Sequence, residues 1–161
     1  MALMTGSRVG IIELYPFRFH AEHLEFLLLK RSPDDRLYPG IWQIITGTIE
    51  SGEKATGAAL RELQEETGLR PERFWVLPDV SAFYDWENDT IQSCVLFCCQ
   101  LPNKSIPILS IEHCDWQWCR AAAAKPFLAW PSQKDHLDLI EDGIGRGDLS
   151  GKLLDISHLL R

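Results

Sequence analysis

Three glutamates recur at i, i+3 and i+4 near the middle of the chain: Glu62, Glu65 and Glu66. On a helix that spacing puts all three on one face. Ala55, Ala58 and Ala59 project from the same side, one or two turns earlier, while Lys54, Gly57, Arg61 and Gln64 fall opposite. An amphipathic helix ordinarily turns its alanines inward and its charges to water. Here carboxylates share the side that packs closely against something. Like charges at this spacing repel, and more so where water is excluded. Such a group needs raised pKa values or a cation. With no His or Cys beside it, it suits a hard, oxygen-seeking divalent ion, Mg2+ or Mn2+, rather than zinc. The competing account is a solvated acidic face tied by the i, i+4 pairs Arg61–Glu65 and Glu66–Arg70.

The segment that must carry these glutamates, Glu53 to Thr67, is free of Pro and rich in Ala, Glu, Leu and Arg. Gly68 stands where a helix C-cap glycine belongs. Strands are expected at 8–19, 24–31, 41–45, 74–80, 91–101 and 114–119, from runs of β-branched, aromatic and aliphatic residues. A hairpin connection falls at 20–23, and loops at 32–40 and 47–52. A short helix or turn is expected at 121–125, an amphipathic helix at 132–142, and a helical turn or tail at 153–160. Strands and helices alternate around one long mid-chain helix, which indicates one α/β or α+β sandwich domain.

Length and charge limit the chemistry. The 161 residues fit one domain, with 45% apolar and 24% charged residues in an ordinary globular balance. A formal net charge of -7 argues against a protein that holds nucleic acid by phosphate neutralisation alone, and against a polybasic membrane binder. An anionic substrate would need positive charge from elsewhere. The first eight residues lack the pattern of a secretory signal, and no apolar run approaches the length of a bilayer span, so a cytoplasmic protein is expected. Five cysteines, Cys94, Cys98, Cys99, Cys114 and Cys119, include no paired C-x2-C knuckle. Reduced, mostly buried thiols are expected rather than a zinc site.

The stretch GTIESGEKATGAALRELQEETGL, residues 47–69, resembles the Nudix box, G-x5-E-x7-R-E-U-x-E-E-x-G-U with U aliphatic. Gly47, Glu53, Arg61, Glu62, Leu63, Glu65, Glu66, Gly68 and Leu69 fill every specified position. The resemblance implies a single Nudix hydrolase domain over 1–161, an α/β/α sandwich with a mixed central sheet. It implies hydrolysis of a nucleoside diphosphate linked to another group, with a divalent metal. Glu62, Glu65 and Glu66 would be metal ligands, with the Gly47 carbonyl completing the set. Glu53 and Arg61 would be structural, joined as an ion pair, Gly68 would end the helix, and Leu63 and Leu69 would be core. The general base stays open between a box glutamate, Glu65 or Glu66, and Glu112. Glu112 lies in a Glu-His pair similar to one found late in several nucleotide-cleaving Nudix groups; alternatively it is an exposed loop carboxylate with His113 as a loop or cap residue.

By the same resemblance, an Arg at the end of the second strand often meets phosphate, which nominates Arg31, with Lys30 and Arg36 as weaker candidates. Six Trp is many for this length. Most should be core, with Trp42 and Tyr84 the candidates for stacking on a flat ring. The segments IWQIITGTIESGE and EHCDWQW are similar to the dATP or dihydroneopterin triphosphate pyrophosphohydrolase branch. That implies pyrophosphohydrolysis of a nucleoside or pterin triphosphate. Dinucleoside polyphosphate or nucleotide-sugar cleavage is the alternative, followed by a non-catalytic nucleotide sensor. The expected partner is therefore a small phosphoanhydride, with neither a membrane nor stable nucleic-acid binding. Many relatives dimerise, which leaves a homodimer open.

Overall fold

The computed structural model describes residues 9–147 and 153–161. Strand β1 (Val9–His20) and strand β2 (His23–Arg31) form an antiparallel hairpin. Its two turn residues, Ala21 and Glu22, both have positive φ, as a tight two-residue connection requires. Strand β3 (Trp42–Gln43) and strand β4 (Ile45–Thr48) follow, then helix α1 (Ala55–Thr67), β5 (Arg73–Asp85), β6 (Thr90–Gln100) and β7 (His113–Cys119). Helix α2 (Ala121–Ala124), a 3-10 turn (Lys125–Phe127) and helix α3 (Pro131–Ile140) come next. The chain ends in a two-residue strand β8 (Leu154–Asp155) and a 3-10 turn (Ser157–Leu160).

The sheet is mixed, in the order β3-β2-β1-β6-β5-β8. Strand β1 pairs parallel to β6 on one edge. On its other edge it is shared: Phe17 to His20 pair with β2, and Ile11 to Leu14 pair with β4. Strand β2 parts from β1 and pairs onward with β7 and β3. Helices cover both faces, so alternate residues of one strand feed two cores. Ile12 and Leu14 pack with Ala58, Ala59 and Leu63 of α1. Tyr15 and Phe17 pack with Ala121 and Ala124 of α2 and with Leu137 and Ile140 of α3. This is the expected α/β/α layering.

Several boundaries differ from the sequence expectation. The strand expected at 41–45 breaks at Ile44, since β3 pairs with β2 and β4 with β1. Part of the loop expected from Gly47 is strand, because Gly47 and Thr48 pair with Ile12 and Ile11. Strand β5 runs on to Asp85 through a register shift between Val76 and Val80. The C-terminal segment adds a short strand against Trp75 and Val76. Helix α3 ends in a π turn, Glu141–Gly145. All five cysteines are free and four are buried; burial lifts the Cys94 thiol to about 11.

Candidate active site

Helix α1 ends as its sequence requires: Gly68 adopts φ 68° and its N–H donates to the Gln64 carbonyl. Its buried arc is centred between Ala59, Leu63 and Glu66 rather than on the middle of the carboxylate face. Glu66 is therefore 4% exposed, Glu62 is largely covered, and the Glu65 side chain stays 58% exposed at the rim. Glu62 lies directly over Gly47. A Cβ at Gly47 would come within 2.2 Å of the Glu62 carboxyl carbon, so any side chain there would displace Glu62 from this position.

Arg61 holds this group together. Its guanidinium donates to Glu53 at 2.9 and 3.0 Å and to the Thr48 carbonyl at 2.9 Å, pinning the preceding loop to the helix. It also donates to Glu62 at 2.8 Å and Glu65 at 3.1 Å. With Glu50 at 4.0 Å as well, one arginine serves as counter-ion to four carboxylates, the Glu53 pair being only part of its work. Among the described residues no three Asp, Glu, His or Cys side chains already converge on one metal position. Arg61 accounts for that by drawing Glu62 and Glu65 to itself.

Glu66 has no such partner. Its Oε2 is buried without a hydrogen bond. Burial, reinforced by the charges of Glu62 and Glu112, raises its pKa from 4.5 to about 9, with Arg31 opposing. Burial raises Glu62 as well, against the pull of Arg61. Glu112 belongs to this electrostatic group from a loop whose backbone is docked on two sides. Ser110 N–H donates to the Glu66 carbonyl at 3.3 Å, and Ser32 N–H donates to the Glu112 carbonyl at 2.8 Å. An all-oxygen donor set, an orphaned carboxylate oxygen and a glycine kept clear beneath Glu62 fit a hard divalent cation. Glu62, Glu65, Glu66 and Glu112, with the Gly47 carbonyl, are the residues that could hold it.

Behind Glu66 lies His113, buried at the start of β7 rather than in a loop. Its Nδ1 is 3.9 Å from Glu66 Oε2, and its Nε2 is 3.1 Å from Gln43 Nε2. Burial and the Arg31 charge lower its pKa to about 4, so the ring is neutral. With Gln43 donating to Nε2, the ring proton sits on Nδ1, toward Glu66.

Gln43 and Arg31 both line a cavity of about 330 Å³ that adjoins this group. Its walls include Tyr38, Trp130, Phe83, Tyr84 and Trp86, and its polar lining includes Glu13, Ser81 and Gln133. Arg31 is oriented by an ion pair with Asp35, which also accepts from the N–H groups of Leu37 and Tyr38 and so sets the loop on the cavity wall. A second, wider groove of about 630 Å³ lies across Ile11, along Glu50 to Glu53 and Phe83.

Of the nominated substrate residues, Arg31 and Tyr84 line the cavity. The Tyr84 hydroxyl donates to Asp89 at 2.9 Å. Lys30 and Trp42 do not line it. They pair across β2 and β3, with the Lys30 ammonium 5.9 Å from the indole centre and the indole packed edge-on against Phe127. Arg36 points to Glu87. Sequence reasoning overlooked Glu13, Gln43 and Gln133. Glu13 alone left a signal: it is the one charge in the apolar run from Val9 to Phe17.

The NUDIX domain family profile matches residues 4–140. A dihydroneopterin triphosphate diphosphatase of Haemophilus influenzae is 36% identical over 110 residues, 61% of this chain and 66% of that protein. An asymmetrical bis(5'-nucleosyl)-tetraphosphatase of Caenorhabditis elegans is 31% identical over 105 residues, 64% of this chain and 72% of that protein. Three curated relatives are matched over 12%, 32% and 66% of their own lengths. Among solved structures, a binary complex of a C. elegans Ap4A hydrolase shares the fold with a TM-score of 0.72, at 24% identity, over 84% of this chain and 97% of that one. No helix among the described residues is long and apolar enough to cross a membrane. A profile match that spans both the glutamate helix and the strands holding it shows that this chain belongs to the NUDIX domain family.

Proposed function

We propose that the protein is a Mg2+- or Mn2+-dependent pyrophosphohydrolase acting on a nucleoside or pterin triphosphate. The observation that carries this reading is the buried Glu66 carboxyl, one oxygen of which has no hydrogen bond, under the charges of Glu62 and Glu112 and of Arg31, a residue that lines the cavity. In the reaction a water oxygen attacks one phosphorus of an anhydride. The P–O bond to the leaving phosphate breaks, and the water proton passes to a base. When bound, a divalent cation neutralises phosphate charge and eases ionisation of the attacking water.

The chain's own residues supply position and charge. Glu62, Glu65 and Glu66 would hold the cation, with the Gly47 carbonyl as a further oxygen donor. Arg31 meets a phosphate oxygen from the cavity side. Glu65, exposed at the rim, and Glu112, on a docked loop, are the carboxylates that reach solvent and can take the water proton. The likeness to a dihydroneopterin triphosphate diphosphatase supports a triphosphate substrate. The likeness to an asymmetrical tetraphosphatase supports dinucleoside polyphosphates as the second reading.

A nucleotide panel with Mg2+, analysed for products, distinguishes these. Pyrophosphate and a monophosphate are expected from a triphosphate, whereas a pair of nucleotides would indicate the second reading. Glu65→Gln should lower turnover tenfold or more. An equally active variant would remove this site from the reaction. Tight nucleotide binding without hydrolysis would indicate a sensor instead.

A further inference from the structure

We infer that the cavity beside the glutamate group selects rings bearing a 2-amino-4-oxo edge, as in guanine and pterins, through Glu13 and Gln133; this inference rests on the triphosphate reading above. Glu13 is 7% exposed and lines the cavity from the middle of β1. A strand on the sandwich core ordinarily carries no charge there. Two neutral groups hold the carboxylate in place. Tyr15 Oη donates to Oε2 at 2.8 Å, and Ser81 Oγ donates to Oε1 at 3.3 Å. Tyr15 is itself fixed by His136 Nδ1 at 2.9 Å, and His136 Nε2 lies 3.0 Å from Asp79. The buried Tyr15 and His136, anchored at the surface by Asp79, position Glu13 and leave part of its acceptor capacity open, since a carboxylate offers about four lone-pair sites.

Gln133, in the first turn of α3, lines the same cavity. It is 3% exposed, and its Oε1 has no hydrogen-bond partner. The amide of Gln43 is engaged with His113. Two buried side chains of the cavity therefore present acceptors that the protein itself leaves incompletely satisfied, and an unmet buried polar group is unfavourable. The ligand that completes them must bring adjacent N–H donors.

A 2-amino-4-oxo ring does this: its ring N–H and exocyclic amine form a parallel pair suited to one carboxylate, and the second amine hydrogen can reach the glutamine. Adenine and cytosine place a ring-nitrogen lone pair where the carboxylate needs a hydrogen. Uracil and thymine flank their single N–H with carbonyls. Tyr38 and Trp130, in edge-to-face contact 5.2 Å apart, stand on the cavity wall where a flat ring enters. Arg31 lines the cavity and its charge also acts on Glu66, so phosphates that it meets would lie toward the glutamate side.

The test compares GTP, ITP, ATP and dihydroneopterin triphosphate as substrates of the wild-type protein with Mg2+. ITP keeps the ring N–H and lacks only the 2-amino group. Calorimetric binding of GDP and IDP without divalent metal runs in parallel, so that recognition is read apart from turnover. The expected result is kcat/KM for GTP and the pterin at least tenfold above ITP and further above ATP, with the GTP-to-ITP preference carried by KM and repeated in binding. Glu13→Gln should reduce that preference tenfold or more, provided its melting temperature shows that it is folded. Equal rates and equal binding for GTP and ITP overturn the inference while leaving the triphosphate reading in place. Preferential GDP binding with no hydrolysis of any triphosphate sustains the selectivity and ends the hydrolase reading.

Discussion

Replacing Glu66 by Gln should stabilise the metal-free protein at neutral to alkaline pH while removing its response to Mg2+. The carboxyl is 4% exposed, one of its oxygens is orphaned, and its pKa is raised from 4.5 to about 9. A carboxyl raised on folding contributes stability that is full below its unfolded value and is lost as pH rises through the folded value. Over that interval the native state holds a proton that the unfolded chain has released, so stability falls by about 1.4 kcal/mol per pH unit. His113 acts in the opposite sense at lower pH. Its pKa is lowered from 6.5 to about 4, so stability rises with pH between those values, and the two slopes offset one another. Above about pH 6.5 the His113 slope is spent, and the Glu66 slope remains together with that of Glu62, which burial also raises. From pH 6.5 to 8.5 the Glu66 slope amounts to about 3 kcal/mol. Urea unfolding in EDTA at pH 6.5, 7.5 and 8.5 measures it, using the difference between wild type and Glu66→Gln so that general charge effects cancel. Wild type should lose ground steadily to the variant. Mg2+ should restore the wild type alone and release close to one proton per site at pH 7.5, read by calorimetry in two buffers of different ionisation enthalpy. Parallel pH profiles for the two proteins would mean that Glu66 is already ionised without metal, and the argument from its burial would fail.

Two substitutions test other parts of the site. Gly47→Ala places a Cβ 2.2 Å from the Glu62 carboxyl carbon, so Glu62 must swing away; Mg2+ affinity should fall at least tenfold with little change in far-ultraviolet circular dichroism, and unchanged affinity would mean that Glu62 is dispensable for metal. Glu112→Gln should lower kcat tenfold or more with the fold intact, whereas near-wild-type kinetics would remove Glu112 from the chemistry.

The glutamate helix was legible because its signal is local. A Pro-free helix with Gly68 at its end, carboxylates at i, i+3 and i+4, and a glycine before it can be read from neighbouring residues alone. The partition of that face was not, since sequence spacing treats Glu62, Glu65 and Glu66 alike. Burial depends on which strands lie beneath, and it covers Glu66 while leaving Glu65 in water. Arg61 was legible as a partner of Glu53 and, by its i, i+4 spacing, of Glu65, but not as a partner of Glu62 and Glu50. The cavity was less visible still. Gln43, Gln133 and Arg31 come from three separate elements, and only the pairing of β3 with β2 and the placing of α3 over the sheet bring them together. Trp42 was nominated as an aromatic beside a motif, and the register of β3 against β2 sets it against Phe127 and outside the cavity lining.

The parallel pairing of β1 with β6 governs the order in which this molecule assembles. Strand β1 meets β2 across a two-residue turn, but it meets β6 only after roughly eighty further residues have been made. The first contact is local and forms on a microsecond scale, whereas the second closes a large loop and is correspondingly slow. All of α1 lies inside that loop. A chain interrupted after Gly68 would hold every box glutamate and still lack the strand that closes the sheet beneath them. It would instead display the open edge of β1, a template for pairing with other chains. A peptide holding only the glutamates would therefore lack the strand that lies beneath them, and a chain made only as far as Gly68 would leave the β1 edge open until β6 arrives.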